Sequence, residues 1–126
     1  MTVNTVDIPD GFTVVSGSQI TAQASGVYNL QFSTQLEKTT ANADTVEIFL
    51  RKNGSDVPNS NTEVTVQGSS ARSVAAWNFY VPLASGDYAQ LAWYSADIHV
   101  RLAAVSGQIN PTRPAIPSVI ITIGNV

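Results

Sequence analysis

Through most of this chain apolar side chains recur at every second position, the period of a strand with one buried face. The chain turns on Leu83-Ala84-Ser85-Gly86-Asp87-Tyr88-Ala89-Gln90-Leu91. Two alternating runs, Trp77 to Leu83 and Tyr88 to Tyr94, meet there at a Ser-Gly-Asp turn. Gly86 tolerates positive φ and Asp87 can hydrogen-bond the turn backbone, so the spacing predicts a hairpin at the centre of an all-β domain. Upstream, Tyr28, Leu30 and Phe32 share one face of a strand over Val27–Glu37, with Asn29, Gln31 and Ser33 on the other. Val46, Ile48 and Leu50 form a second inward row, opposite Glu47, Phe49 and Arg51. Phe49 marks either a covered outer face or a singly exposed aromatic, and the pattern does not choose. Trp77, Phe79, Val81 and Leu83 point inward, with Pro82 opposite them, which suggests a sheet edge or a bulge. Leu91 and Trp93 share one face, and Tyr88, Gln90, Ala92 and Tyr94 the other. Ile98, Val100 and Leu102 alternate with His99, Arg101 and Ala103. The last run, Ser118 to Val126, is apolar on both faces: Val119, Ile121 and Ile123 on one, Ile120 with Thr122 and Gly124 on the other. Such a strand is usually covered twice, and in a sandwich the opposite sheet supplies only one cover.

Turn signals divide these runs. Lys52-Asn53-Gly54-Ser55 reads as a two-residue hairpin turn. Residues 39–44 and Gly68-Ser69-Ser70 read as loops, and residues 106–117 form a connection punctuated by Gly107, Pro111, Pro114 and Pro117. Weaker strands are expected at Phe12–Val15, Ile20–Gln23, Asp56–Asn61 and Glu63–Gln67. About eight to ten strands and no helical period predict a β-sandwich or barrel, and the absence of an internal repeat disfavours a β-helix. Residues 1–18 stand apart as an N-terminal arm or edge strand, with the domain proper over 19–126. Val3, Val6, Ile8, Phe12, Val14 and Val15 are too many apolar residues for an idle tail. One reading is an arm ordered against a partner; the other makes Phe12–Val15 the first edge strand.

Composition narrows the function. Only 12% of the 126 residues are charged and the net charge is −3, so much of the surface is neutral and association is expected. The six basic residues, Lys38, Arg51, Lys52, Arg72, Arg101 and Arg113, are scattered, which argues against nucleic acid as a partner. There is no cysteine. The N-terminus has no secretory pattern and no run reaches the ~20 apolar residues of a membrane span, so a soluble chain made in the cytoplasm, with no membrane partner, is expected.

Catalytic chemistry finds little support. His99 is the one histidine, and a polar outward residue is its simpler reading; Asp97 sits two positions away but no nucleophile elbow accompanies them. The acids, Asp7, Asp10, Glu37, Asp44, Glu47, Asp56, Glu63, Asp87 and Asp97, are spread along the chain. Loop carboxylates such as Asp44 and Asp56 could meet calcium, though without EF-hand spacing. Tyr28, Tyr80, Tyr88, Tyr94, Trp77 and Trp93 form either a sugar-stacking platform or, more simply, core and interface. The expectation is therefore no enzyme, no cofactor and no metal site.

Three stretches, in order, resemble the complement C1q/tumour-necrosis-factor-like jelly rolls. Gly26-Val27-Tyr28-Asn29-Leu30-Gln31-Phe32 is similar to that family's Gly-x-Tyr-x-Phe strand, with Leu30 in place of Phe. Val46–Gly54 resembles its strand ending in Lys-Asn-Gly. Val81–Leu91 resembles its Leu-x-x-Gly-Asp-x-Val-x-Leu segment, with Ala89 in place of Val. The terminal strand sits where the family places its last, central one; the vertebrate closing motif Phe-x-Gly-Phe-Leu is missing. Residues 113–123 are also similar to the C-termini of small virion proteins of tailed bacteriophages.

The resemblance implies a jelly-roll β-sandwich of two antiparallel sheets that packs as a homotrimer. With the arm, small size and Thr/Asn/Ser-rich composition, the expected role is a trimeric capsid decoration protein, a cement or knob, located on the virion. Its arm would meet the major capsid protein or another virion protein. The alternative is a receptor- or glycan-binding tip of a phage tail fibre, meeting a host surface glycan. The expected trimer interface comprises Tyr88, Ala92, Tyr94, Ile120 and Thr122.

Overall fold

A computed structural model describes residues 1, 11–15, 17–40, 42–68, 71–96 and 99–126. Ten strands run in the order β1 (Phe12–Val15), β2 (Gln19–Ala22), β3 (Gly26–Lys38), β4 (Asp44–Lys52), β5 (Ser55–Asp56), β6 (Thr62–Val66), β7 (Arg72–Leu83), β8 (Tyr88–Tyr94), β9 (Val100–Leu102) and β10 (Val119–Asn125). They form two antiparallel sheets, which selects the sandwich from the sandwich or barrel that the alternating pattern allows. The six-stranded sheet runs β1-β2-β8-β4, with β5 and β6 both on the far side of β4. The four-stranded sheet is centred on β3, with β7 along one flank and β10 and β9 end to end along the other.

Burial follows the period of two. On β3, Tyr28, Leu30, Phe32, Thr34, Leu36 and Lys38 are all buried. Val81 and Leu83 of β7 lie beside them in the same sheet, and Val46, Ile48 and Leu50 of β4 and Leu91 of β8 face them from the other to close the core. Phe32 stacks on Phe79 and meets Trp77 edge-on. Val119, Ile121 and Ile123 of β10 pack against this cluster, while Ile120 and Thr122 point out. The inward row therefore extends two polar positions past the apolar alternation. Thr34 Oγ1 satisfies itself on the Ser118 carbonyl at 2.8 Å. Lys38 is wholly buried, 2.8 Å from the Asp44 carboxylate, and donates to the carbonyl and hydroxyl of Thr40.

The central turn differs from the expected hairpin. β7 pairs with β3 along twelve positions, whereas β8 lies in the other sheet between β2 and β4. Ser85-Gly86-Asp87 is thus an arch that crosses from one sheet to the other. The physical reason is that alternation fixes which side chains face the core, not which strand is the hydrogen-bonding neighbour; an arch and a hairpin bury the same set. The turn's partners come from β2: the Gly86 amide donates to the Ala22 carbonyl and the Ala22 amide to the Asp87 carbonyl, both at 2.9 Å. Gly86 adopts φ +90, which a residue with a Cβ rarely does. By contrast Asn53-Gly54 is a true two-residue hairpin turn, with φ 51 and 84, joining β4 to β5.

Two boundary expectations also change. Phe12–Val15 is an edge strand paired in full register with β2, and the Phe12 ring meets Tyr28 edge-on at 5.0 Å. Residues 12–15 thus lie at the edge of the sheet, while Val3, Val6 and Ile8 of the proposed arm lie outside the described residues. The strand expected over Asp56–Asn61 shrinks to β5, because Pro58-Asn59 turns the chain and Asn59 takes φ 62.

Asp87 braces the arch. Its carboxylate accepts from the Ala84 amide at 2.9 Å and from the Asn53 side chain at 3.1 Å, with Lys52 at 3.8 Å. The Ala84 hydrogen bond first, then that from Asn53, hold its pKa below the usual carboxylate value. A carboxyl with a depressed folded pKa adds stability above its unfolded pKa, and that stability is lost as pH falls through the folded one. Asp87→Asn should flatten the acid side of the stability profile. Thermal melts from neutral pH down into the carboxylate range check this; parallel wild-type and variant profiles would count against it.

Candidate functional site

The two outer faces of the sandwich differ in chemistry. On the four-stranded sheet, β7 turns Val74, Asn78 and Tyr80 outward, β3 turns Val27, Asn29 and Gln31, and β10 turns Ile120 and Thr122. Tyr80 is 65% exposed, Val74 58% and Ile120 52%. The amides between them pair sideways, Asn78 Nδ2 donating to Asn29 Oδ1 at 3.1 Å. A shallow depression beside Ile120 and Thr122 is lined by Gln31, Phe32 and Ser33. Charge is confined to one end, where Glu37 stands in register with Arg72 on β7 and Arg101 on β9. The Arg101 guanidinium reaches Glu37 Oε2 at 2.8 Å and Arg72 reaches Oε1 at 3.5 Å. The Arg101 hydrogen bonds, ahead of other causes, lower the Glu37 pKa. Apolar, Tyr- and amide-bearing area with charge pushed to the margin is the composition of an interface centre.

The six-stranded sheet carries the charged outer face. Its β4 row is Thr45, Glu47, Phe49 and Arg51. Phe49 is half-buried beside Ala92 in register, which settles its ambiguity in favour of partial cover by its own sheet. Glu47 lies directly opposite Glu63 of β6, and Arg51 pairs with Asp56 at 2.9 Å.

The expected interface residues fall on different sheets. Tyr88, Ala92 and Tyr94 point out from β8 in the six-stranded sheet, and Ile120 and Thr122 point out from β10 in the other. They do not form one patch. Tyr80 stands among the aromatic candidates of the sequence but not among the five expected interface residues, and Val74 and Val27 are singled out by no local pattern. Their strand face was legible, but not that it lies beside Ile120, since only the β3–β7 and β3–β10 registers bring them together.

The chemical candidates disperse likewise. His99 is exposed, its Nδ1 3.4 Å from Thr39 Oγ1, and Asp97 lies outside the described residues. Asp44 and Asp56 sit near opposite ends of β4, seven positions or ~23 Å apart. Asp44 faces Lys38, and Asp56 faces Arg51. Among the described residues no three His, Asp or Glu side chains form a metal-holding group. Of the aromatic platform, Tyr28 is buried with its hydroxyl on the Ala24 carbonyl, and Trp77 and Trp93 pack against the core. Tyr80 faces out from one sheet, Tyr88 and Tyr94 from the other.

One element stands clear of both sheets. Residues 106–117 are all exposed. Val105 and Ile116 exchange backbone hydrogen bonds, as do Gln108 and Arg113, so the segment is a narrow hairpin whose tip holds Ile109, Asn110, a cis-Pro111 and Thr112. Gln108 and Arg113 side chains donate to the Ser106 and Pro111 carbonyls and brace it. No family model matches the chain, and no curated protein matches it in sequence.

Proposed function

We propose that the protein is a virion structural subunit, a homotrimeric jelly roll that decorates the capsid of a tailed bacteriophage. The observation that carries this reading is the outer face of the four-stranded sheet, uncharged beyond its Glu37 end, with Tyr80, Val74 and Ile120 exposed in one chain. Burying such a face between copies removes ~800 Å² per partner from water in an interface of ordinary size. The connections support the jelly-roll form: β3 to β4, β6 to β7, β7 to β8 and β8 to β9 each cross between sheets. The motifs shared with C1q/TNF-like chains and the phage-like C-terminal segment point the same way.

The alternative is a receptor- or glycan-binding fibre tip; for a glycan, the two tyrosines that share an outer face are Tyr88 and Tyr94. They are six positions apart on β8, ~20 Å, too far to stack on one sugar ring. The assembly reading is therefore preferred.

Light scattering is expected to give a trimer at micromolar concentration. Ile120→Asp and Tyr80→Asp should each convert it to folded monomer, because the interface would then bury an unpaired carboxylate. A native monomer, or a trimer indifferent to both changes, would refute the interface. Immuno-electron microscopy distinguishes capsid lattice from tail; label on the tail alone would replace decoration with the fibre reading.

A further inference from the structure

Nearly every charge on the described part of this chain is matched within it. Lys38 meets Asp44, Arg51 meets Asp56, Lys52 meets Asp87, and Arg72 and Arg101 meet Glu37. Three charged side chains among the described residues are left without an opposite charge: Arg113, Glu63 and Glu47. Arg113, on the exposed hairpin, is the one Lys or Arg side chain among the described residues without a carboxylate partner. Glu63, exposed on β6, is set directly across the ladder from Glu47, whose own contact is a hydrogen bond from Asn61 at 2.8 Å. Like charges directly opposite on adjacent strands destabilise the pair.

Their positions are complementary. Both limbs of the hairpin are held at Gln35 of β3, whose amide donates to Ser118 and whose carbonyl accepts from Ala103, both at 2.9 Å. The hairpin thus leaves from the β9/β10 flank. Glu63 lies on the opposite flank, where β6 edges its sheet and β7 edges the other. Along the strands the two are level. Gln35 is three positions before Lys38, Glu47 is three positions after Asp44, and the Lys38–Asp44 pair ties those two points together at one end of the sandwich. Opposite flanks at one level cannot meet within a chain; a closed ring joined head to tail brings them together.

We propose that the hairpin is a clasp: its tip docks on the β6 edge of the next copy, with Arg113 between Glu63 and Glu47 of that copy. This rests on the trimer reading above and specifies how its subunits are registered. Ile109, 77% exposed at the tip, supplies apolar area to bury, and the charges fix the register. In the ring each subunit gives one hairpin and receives one.

The absence of cysteine makes the test direct. Thr112→Cys on the hairpin and Thr65→Cys on β6 leave both charges in place, and a short bismaleimide then bridges thiols that are neighbours. The double variant should give covalent dimer and trimer and stop at trimer. Either single variant alone should give none, while the two mixed should give dimer. Adding Arg113→Glu should raise the trimer's dissociation midpoint about tenfold, equivalent to ~1.4 kcal/mol, and suppress cross-linking; Glu63→Arg in the same chain should restore both. Trimers by light scattering without cross-links, or cross-linking indifferent to the charge reversal, would overturn the clasp and leave the trimer standing. Symmetric dimers from Thr112→Cys alone would also overturn it. A native monomer would remove both.

Discussion

Replacing Lys38 by Met should lower the unfolding free energy by ~3–5 kcal/mol, the cost of taking the compensating cation away from a buried carboxylate. Lys38 is 0% exposed, and its ammonium stands 2.8 Å from Asp44 while donating to both oxygens of Thr40. Met fills the space of the stem but leaves the Asp44 carboxylate facing an apolar group in a region with little water. The loss is thus mainly the desolvation of Asp44, not a missing attraction. Adding Asp44→Asn removes that charge and should recover most of the stability, since a neutral pair replaces an ionic one at small net cost. Urea unfolding with an unchanged slope and a shifted midpoint is the expected form of the result. A single variant as stable as wild type would mean that the pair is solvated in solution and not part of the core.

Removing the chain through Val15 should destabilise the domain by ~3 kcal/mol, roughly 10 °C in melting midpoint. β1 contributes four ladder positions against β2, and Phe12 is partly buried on Tyr28 with its ring edge-on. The single change Phe12→Ala separates the two contributions. It removes the ring and should account for about half of the loss if apolar burial dominates. An arm that served only a neighbouring particle would leave the melt unchanged on truncation. That outcome would return residues 12–15 to the arm and detach β1 from the sandwich in solution.

A period of two, sustained across eleven or more positions in β3 and β7, was enough to establish an all-β fold and which residues enter the core. Tyr28, Leu30, Phe32, Val46, Ile48, Leu50, Val81, Leu83 and Leu91 are buried as the pattern requires. This is legible because side-chain direction along a strand depends only on parity. Local turn chemistry was legible for the same reason at Asn53-Gly54, where positive φ is needed at two adjacent residues.

Neighbourhood was not legible. Parity assigns a face but not a partner, so Trp77–Leu83 and Tyr88–Tyr94 read as a hairpin although they lie in different sheets. For the same reason the sequence pattern groups Tyr88 and Tyr94 with Ile120 and leaves Tyr80 out. Lys38 also escaped, because its burial depends on a carboxylate and two oxygens delivered by the following loop and strand. Local pattern therefore suffices for the strands, their inward faces and the scarcity of charge. Which strands are adjacent, where the few charges find partners and which outward side chains share a surface emerge only on folding, since each depends on long-range registers that no local pattern encodes.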